Sequence, residues 1–216
     1  PSCNFIRDDT AVQNLRRSFA AIAMLLLIGL VTGCSMKASD FDGTEPRFRI
    51  EEYFLGETKA WGIFEDRFGN LRRQFVVDIT GTMEGDEIVL DERFQYADGE
   101  TDQRIWRIRK LNEHTYEGKA DDIIGVATGE SYGNALNWSY DMDLAIGDSS
   151  LRVHFNDWMF LQPDGVVLNR AKVSKWGIAI GEVTLSFSKA DAAVQTSIKA
   201  FPQHSAFDEL RQVATR

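Results

Sequence analysis

The chain has 216 residues, of which 44% are apolar, 11% aromatic and 26% charged. This composition excludes an intrinsically disordered chain, a collagen and a disulfide-rich miniprotein, and it allows one domain with a substantial core. The formal net charge of −9 argues against a nucleic-acid-binding protein, because such proteins use an excess of Lys and Arg to displace counterions from phosphates. We therefore expect no nucleic-acid partner.

An apolar segment near the N-terminus, residues 19–31, follows Arg16 and Arg17 and carries no charge. It is shorter than the roughly 20 residues that a membrane-spanning helix needs. Its length and its basic flank are typical of a signal peptide. We expect residues 1–33 to be removed from the mature protein.

The end of this segment, residues 30–34 (LVTGC), resembles a bacterial lipobox, which predicts cleavage before Cys34 and acylation of that cysteine. Two acyl chains on a glycerol and a third on the new N-terminus exceed what stable anchoring requires. Because Ser35 and not Asp follows the cysteine, we expect a lipid-anchored protein on the periplasmic face of the bacterial outer membrane. Cys3 is lost with the signal peptide, so no free thiol remains for a disulfide, a metal site or a nucleophile.

The remainder of the chain divides into three predicted parts. Residues 34–46 are polar and rich in turn formers, which indicates a lipidated tether between the membrane and a folded body. Residues 47–189 are predicted to form the folded domain. Residues 190–216 lack the pattern of that domain and are expected to be a mobile or helical tail.

The folded domain has the composition of a nearly continuous antiparallel sheet. Pro163 is its only proline, and prolines are excluded from central strands because they cannot donate to the hydrogen-bond ladder. Turn signals recur along it and predict hairpins, at residues 68–70, 84–86, 98–99, 146–148 and 163–165. About nine or ten strands exceed what one flat sheet usually carries, so an all-β, lipocalin-like barrel is favoured over a sandwich.

The alternation of apolar residues supports this assignment. Large side chains occupy the even positions of 132–144 and small or polar ones the odd positions, which predicts a single half-buried strand. Near Gly181 the parity of the apolar residues switches, which predicts a β-bulge. The positions concerned are Trp176, Ile178 and Ile180 before the switch and Val183, Leu185 and Phe187 after it.

Several polar residues fall on otherwise apolar faces of these strands, where an unpaired charge is strongly disfavoured. They suggest a polar cluster inside an aromatic-walled cavity, with candidate ligand-binding residues Glu92, Arg104, Trp106, Asn134, Trp138, Asp157 and Asn169. A three-residue loop at Asp98-Gly99 is predicted to place Glu92 opposite Trp106 and diagonal to Arg104, whereas a two-residue loop would remove that contact. The alternative is a hydrogen-bonded, ion-paired core that only fixes the register of the strands.

Other motifs in the chain carry less weight. Residues 129–133 (GESYG) match the G-x-S-x-G pattern of hydrolases, but that elbow joins a strand to a helix, and here a strand is predicted to continue. The three histidines, His114, His154 and His204, have no zinc-site spacing. The pairs Asp121-Asp122 and Asp141-x-Asp143 are more typical of solvated strand edges than of a calcium site. Neither arrangement predicts a metal site. No phosphate-binding glycine loop precedes a helix, so no cofactor is predicted either.

Several blocks of the sequence are similar to those of a known family. They are the segments 60–69 (AWGIFEDRFG), 90–94 (LDERF), Tyr96-x-Asp98-Gly99, Arg104-x-Trp106, 120–122 (ADD), 133–135 (GNA), 157–159 (DWM) and 169–170 (NR). The chain resembles the bacterial lipoproteins of the DUF3833 family over nearly all of residues 47–188. The resemblance supports a lipoprotein and implies no assigned activity and no catalytic residues.

Three hypotheses follow from the sequence. The first is a non-enzymatic barrel, anchored in the outer membrane, that binds an amphipathic or lipid-derived small molecule. The second is an enzyme that acts on a lipid-like substrate, with Glu92 or Asp157 as the general base. The third is a structural envelope lipoprotein that docks a protein partner on its outer surface.

Overall fold

The computed structural model describes residues 35–146 and 149–189. Ten antiparallel strands form a closed barrel in which each strand pairs with its neighbours in the chain and β10 pairs with β1. The predicted barrel is thereby confirmed. Its strands are β1 (Gly56–Asp66), β2 (Leu71–Glu84), β3 (Glu87–Tyr96), β4 (Thr101–Lys110), β5 (Thr115–Lys119), β6 (Ile123–Tyr132), β7 (Ala135–Ile146), β8 (Ser149–Leu161), β9 (Val167–Lys175) and β10 (Ile178–Lys189).

Alternate residues of each strand point into the barrel, because successive side chains of a strand lie on opposite faces. On β9, for example, Val167, Asn169, Ala171 and Val173 are buried, whereas the residues between them are exposed. The inward residues of all ten strands make one apolar cluster with many aromatic members. The apolar residues that alternate in the sequence are thus the residues that point into the barrel.

The predicted β-bulge at Gly181 is confirmed by a register shift between Ala179 and Gly181 where β10 pairs with β9. A Cβ atom on Gly181 would lie 2.6 Å from the Glu65 carbonyl oxygen, so a larger residue at the bulge would force the backbone to move. Of the apolar residues before this switch, Trp176 and Ile178 do not lie on the inner face, because their exposed fractions are 89% and 61%. Both lie at the tip of the β9–β10 hairpin, beyond the packed part of the wall.

The single strand predicted over 132–144 is also wrong. The chain turns at Gly133 and Asn134, so that β6 ends at Tyr132 and β7 begins at Ala135, directly opposite it. Gly133 has a φ of +50°, a conformation that favours glycine, and a Cβ atom there would meet the Phe41 carbonyl oxygen at 2.0 Å. The turn thus depends on a glycine that the alternation pattern does not reveal.

One end of the barrel is closed by the segment that precedes β1. This plug, residues 48–54, includes the short helix α1 (Ile50–Tyr53) and buries Phe48, Ile50, Tyr53 and Phe54. The Phe48 amide donates to the Gly133 carbonyl at 2.7 Å, and the Tyr53 hydroxyl donates to the Gly165 carbonyl at 3.0 Å. The plug is therefore held by aromatic packing and by hydrogen bonds to turns at this end of the barrel.

Residues before the plug pack on the outer wall. Ala38–Phe41 forms a 3₁₀ helix, Ala38 is buried, and the Phe41 ring lies 5.4 Å from that of Phe160. The apolar residues Ala38 and Phe41 pack against the outer wall of the barrel. The segment expected to be a tether is therefore folded onto the barrel from residue 38 onward. Cys34, the predicted signal peptide and the predicted tail from residue 190 lie outside the described residues. Within the described residues, no helix has the length and hydropathy to cross a membrane.

Candidate functional site

The barrel encloses a cavity of about 420 Å³. This volume falls within the roughly 300 to 1,000 Å³ of small-molecule sites. Its floor is formed by Ile50 and Phe54 of the plug, and its wall is mostly apolar and aromatic. Wall residues include Phe75, Phe94, Trp106, Trp138, Tyr140, Met142, Phe155, Met159 and Leu185.

The cavity opens at the end of the barrel opposite the plug. There its lining residues Phe64, Tyr96, Leu144 and Ile180 are only half-buried, whereas the floor residues are fully buried. These four residues lie near the hairpin turns that join β1 to β2, β3 to β4, β7 to β8 and β9 to β10. A ligand would enter past them.

Most of the residues predicted to bind a ligand lie together in this cavity. Those that line it are Glu92, Arg104, Trp106, Trp138, Asp157 and Asn169. Asn134 does not line the cavity and lies instead in the β6–β7 turn. Its backbone N–H donates to Thr44 Oγ1 at 3.0 Å. Its side-chain nitrogen donates to the Leu161 carbonyl at 3.2 Å. The prediction for Asn134 is wrong because it assumed a strand where the chain turns.

Glu92 and Arg104 are closer than the sequence predicted. Three residues separate Tyr96 from Glu100 in the β3–β4 hairpin, and this places Glu92 directly opposite Arg104 and Leu90 opposite Trp106. The predicted diagonal register is therefore corrected by two residues. The Glu92 Oε2 and Arg104 Nη1 atoms are 3.9 Å apart, and both side chains are more than four-fifths buried.

Arg104 has a second and nearer partner that the sequence interpretation missed. Its Nε and Nη2 atoms donate to the same oxygen of Asp122, at 2.9 and 2.8 Å, and Nε also lies 3.2 Å from the other oxygen. Asp122 follows β5 in a turn at the open end of the barrel. Its position next to Asp121 suggested a solvated edge, and only the paired strands show that it reaches Arg104.

Asp157 is the most isolated polar group of the cavity. Its side chain lies between Trp138 and Ala171 on the neighbouring strands, and the residue is only 6% exposed. Its Oδ1 atom is buried and has no hydrogen-bond partner among the described residues. Such an atom is strongly disfavoured in a closed core, which makes Asp157 a candidate contact for a bound molecule.

Burial raises the pKa of Asp157 to about 7, although Arg104 opposes this shift. Burial likewise raises the pKa of Glu92 to about 7, again against the attraction of Arg104. The charge of Glu92 adds to the shift at Asp157. The two carboxyl groups therefore share the cavity as weak acids that exchange protons near neutral pH.

Tyr140 completes the cluster on β7. It is buried, and its ring stacks on Phe155 with the centroids 5.1 Å apart. Burial and the neighbouring charge of Asp157 raise the pKa of its hydroxyl well above 10, so it stays protonated. The sequence interpretation placed Tyr140 on the buried face but did not include it in the site.

A second arginine lines the cavity closer to its mouth. The Arg73 guanidinium lies 3.6 Å from the centre of the Tyr96 ring, and its Nη2 atom is 3.2 Å from Asp98 Oδ2. It also pairs with Glu100. Its charge is therefore engaged by carboxylates of the β3–β4 turn.

The G-x-S-x-G motif has a structural explanation. A Cβ atom on Gly129 would lie 2.3 Å from the Trp138 indole, so this glycine makes room for a cavity wall residue. The Ser131 hydroxyl donates to the Phe48 carbonyl and so holds the plug. Because β6 leads into a hairpin and not into a helix, the motif does not form a nucleophile elbow.

The described histidines and the pair Asp141 and Asp143 have ordinary partners on the outer surface. His114 stacks on Tyr132 at 3.9 Å, and His154 Nδ1 lies 2.9 Å from Asp141. Asp143 pairs with Arg152. Across residues 35–146 and 149–189, no group of three or more His, Cys, Asp or Glu side chains is arranged to hold a metal ion.

A family model described as "Protein of unknown function (DUF3833)" matches residues 28–189. The chain belongs to the DUF3833 family. The match begins before the predicted lipobox and ends with β10. No curated protein matches this DUF3833 sequence. Among solved structures, an S-type phycobiliprotein lyase from Guillardia theta is similar, with a TM-score of 0.48 and 10% identity over 65% of this chain and 90% of that one.

Proposed function

We propose that this DUF3833 protein binds an amphipathic or lipid-derived small molecule in its barrel while anchored to the bacterial outer membrane by acylated Cys34. The observation that carries the binding function is the cavity of about 420 Å³ with an aromatic wall and one buried polar cluster. An apolar wall with a few placed polar groups is the usual construction of a small-molecule site.

A core that served stability alone would be filled. Protein interiors pack as densely as organic crystals, and a void is destabilising because its lining side chains lose contacts. Here the large inward side chains leave a cavity that Asp157 lines, and the buried Oδ1 atom of this residue has no partner in the described chain. A ligand would supply both the missing contacts and the missing hydrogen bond.

The proposed anchoring is supported by the sequence at residues 30–34 and by the family match, which includes that segment. Only residues 35–37 separate Cys34 from the 3₁₀ helix on the barrel wall. We expect incorporation of labelled fatty acid into the wild-type protein and its loss in Cys34→Ala, with the wild-type protein in the outer-membrane fraction. Label that persists in Cys34→Ala would contradict the anchor.

Binding is tested by blocking the cavity. Val183 lines the cavity and Thr184 is exposed, so Val183→Trp fills the site while Thr184→Trp adds the same side chain outside it. The full chain is extracted with lipid in styrene–maleic acid polymer, because a detergent is itself an amphiphile and would compete. Binding is measured by calorimetry, with the heat from protein-free particles subtracted. Decanol should bind the wild type and Thr184→Trp, and it should bind Val183→Trp at least tenfold more weakly. Equal binding by all three would contradict the proposal.

A second function is favoured by one observation. Glu92 and Asp157 both have pKa values of about 7 inside the cavity, and groups with such values are suited to general acid or base catalysis. If the protein is an enzyme, the double variant Glu92→Gln/Asp157→Asn should retain a bound molecule of different mass from that found in the wild type. The same molecule in both would favour binding without chemistry.

A further inference from the structure

We propose that the polar end of the bound amphiphile is a hydrogen-bond donor, as in an amine or an alcohol, and not an acid. This inference rests on the proposed binding function and specifies the class of ligand. It follows from the groups that the cavity still offers to a ligand after its own charges have paired.

Both cations that line the cavity in the described chain are already engaged. Arg104 directs its Nε and Nη2 atoms to Asp122 at 2.8 to 3.2 Å, and its Nη1 atom faces Glu92 at 3.9 Å. Arg73 pairs with Asp98 and Glu100 at the mouth. An acidic ligand would have to displace a carboxylate from one of these arginines.

The charged groups that remain in the cavity are carboxyls. Asp157 Oδ1 is buried without a partner, and the Glu92 carboxyl lies 3.9 Å from its arginine, beyond hydrogen-bond distance. An N–H or O–H group on the ligand would satisfy these oxygens. A carboxylate brought to the same place would add a further negative charge in a region of low dielectric, which is unfavourable.

The protonation of the cavity carboxyls gives a second way to distinguish an amine from an acid as the ligand. The charged and titratable groups near Asp157 are Glu92 on β3, Arg104 on β4 and Tyr140 on β7, and Asp122 in the β5–β6 turn lies near Glu92 and Tyr140. A protonated amine favours the ionised form of the two cavity carboxyls and releases their protons on binding. Its affinity should therefore rise between pH 6 and pH 8, whereas that of an acid should fall.

Three amphiphiles with the same ten-carbon chain test the inference. Decylamine, decanol and decanoate are titrated at pH 8 into the wild-type protein in styrene–maleic acid particles, with protein-free particles subtracted. We expect decanoate to bind at least tenfold more weakly than decylamine and more weakly than decanol. Decanoate binding as tight as decanol would overturn the inference and leave the binding function intact. Failure of all three to bind would overturn both.

A matched pair of variants tests the role of Arg104. Asp122→Asn removes the nearest charge from Arg104, and Asp121→Asn makes the same change at the exposed neighbouring position. Circular dichroism verifies that each variant is folded. Decanoate affinity should rise at least fivefold in Asp122→Asn and stay unchanged in Asp121→Asn. If neither variant folds, the wild-type series with three head groups still decides the inference; unchanged affinity in folded Asp122→Asn would contradict it.

Discussion

The two ends of the barrel differ in how their polar and apolar groups are used. At the closed end, the plug buries its aromatic residues and hydrogen-bonds to the surrounding turns, as with Phe48 to Gly133 and Tyr53 to Gly165. At the open end, Phe68 is 74% exposed and Trp176 is 89% exposed. The closed end contributes stability, and the open end leaves apolar side chains and a cavity mouth accessible to other molecules.

The polar cluster lies between these ends and shares features of both. Arg104 and Asp122 are paired as in a structural ion pair, whereas Asp157 keeps an oxygen without a partner in the described chain. The paired part of the cluster joins the strands of the wall, and the unpaired part is the one that we propose to contact a ligand.

The largest expected effect is at the closed end. A Cβ atom on Gly81 would lie 1.9 Å from the Phe54 carbonyl oxygen, so Gly81→Val must displace the plug. We expect the free energy of unfolding to fall by about 3 kcal/mol. Urea denaturation of this variant and of Thr82→Val, at the exposed neighbouring position, measures the effect. A Gly81→Val protein as stable as Thr82→Val would show that the plug does not depend on close packing.

A smaller effect is expected from the cavity carboxyls. The native protein retains protons on Glu92 and Asp157 that the unfolded chain, with pKa values near 4.5 and 3.8, has released. The stability they contribute is therefore complete below about pH 4 and is lost as the pH rises through about 7. Glu92→Gln/Asp157→Asn should reduce the loss of unfolding free energy between pH 5 and pH 8 by roughly 1 to 3 kcal/mol.

Urea denaturation at several pH values measures this dependence. Asp91→Asn is a suitable control because Asp91 adjoins Glu92 on the outer face, where the hydrogen bonds that it accepts from Gln103 and Arg93 lower its pKa. This control should keep the wild-type decline between pH 5 and pH 8. An equally steep decline in the double variant would mean that the cavity carboxyls are ionised across that range.

The smallest effect is expected at the open end. Trp176 has a φ of +52° in a two-residue turn with Gly177, and this conformation is strained for a bulky side chain. Trp176→Gly should be more stable than Trp176→Ala by about 1 kcal/mol, since glycine relieves the strain and alanine does not. Equal thermal stability of the two variants would indicate that this backbone is unstrained.

Much of the fold was predictable because the barrel wall repeats every two residues. The same parity identified Glu92, Arg104, Asp157 and Asn169 as polar residues on the inner face. It failed at Asn134, because Tyr132 and Asn134 extend the even-numbered pattern of β7 across a turn that depends on Gly133. Alternation reports the faces of a strand but does not show where one strand ends and the next begins.

Contacts between distant segments were not predictable. Asp122 reaches Arg104 through the pairing of strands, and no local pattern distinguishes it from Asp121. Likewise, residues 48–54 contain four apolar and three charged residues, and their role as a plug depends on the barrel that they close. Such features require the closed barrel to be known first.

Native mass spectrometry of the full chain, released from membranes in styrene–maleic acid polymer without detergent, tests the central claim most directly. The wild type and Thr184→Trp should each carry a small molecule in addition to the mass of the chain, and Val183→Trp should not. An empty wild-type protein, or a molecule retained equally by Val183→Trp, would contradict a ligand-binding cavity.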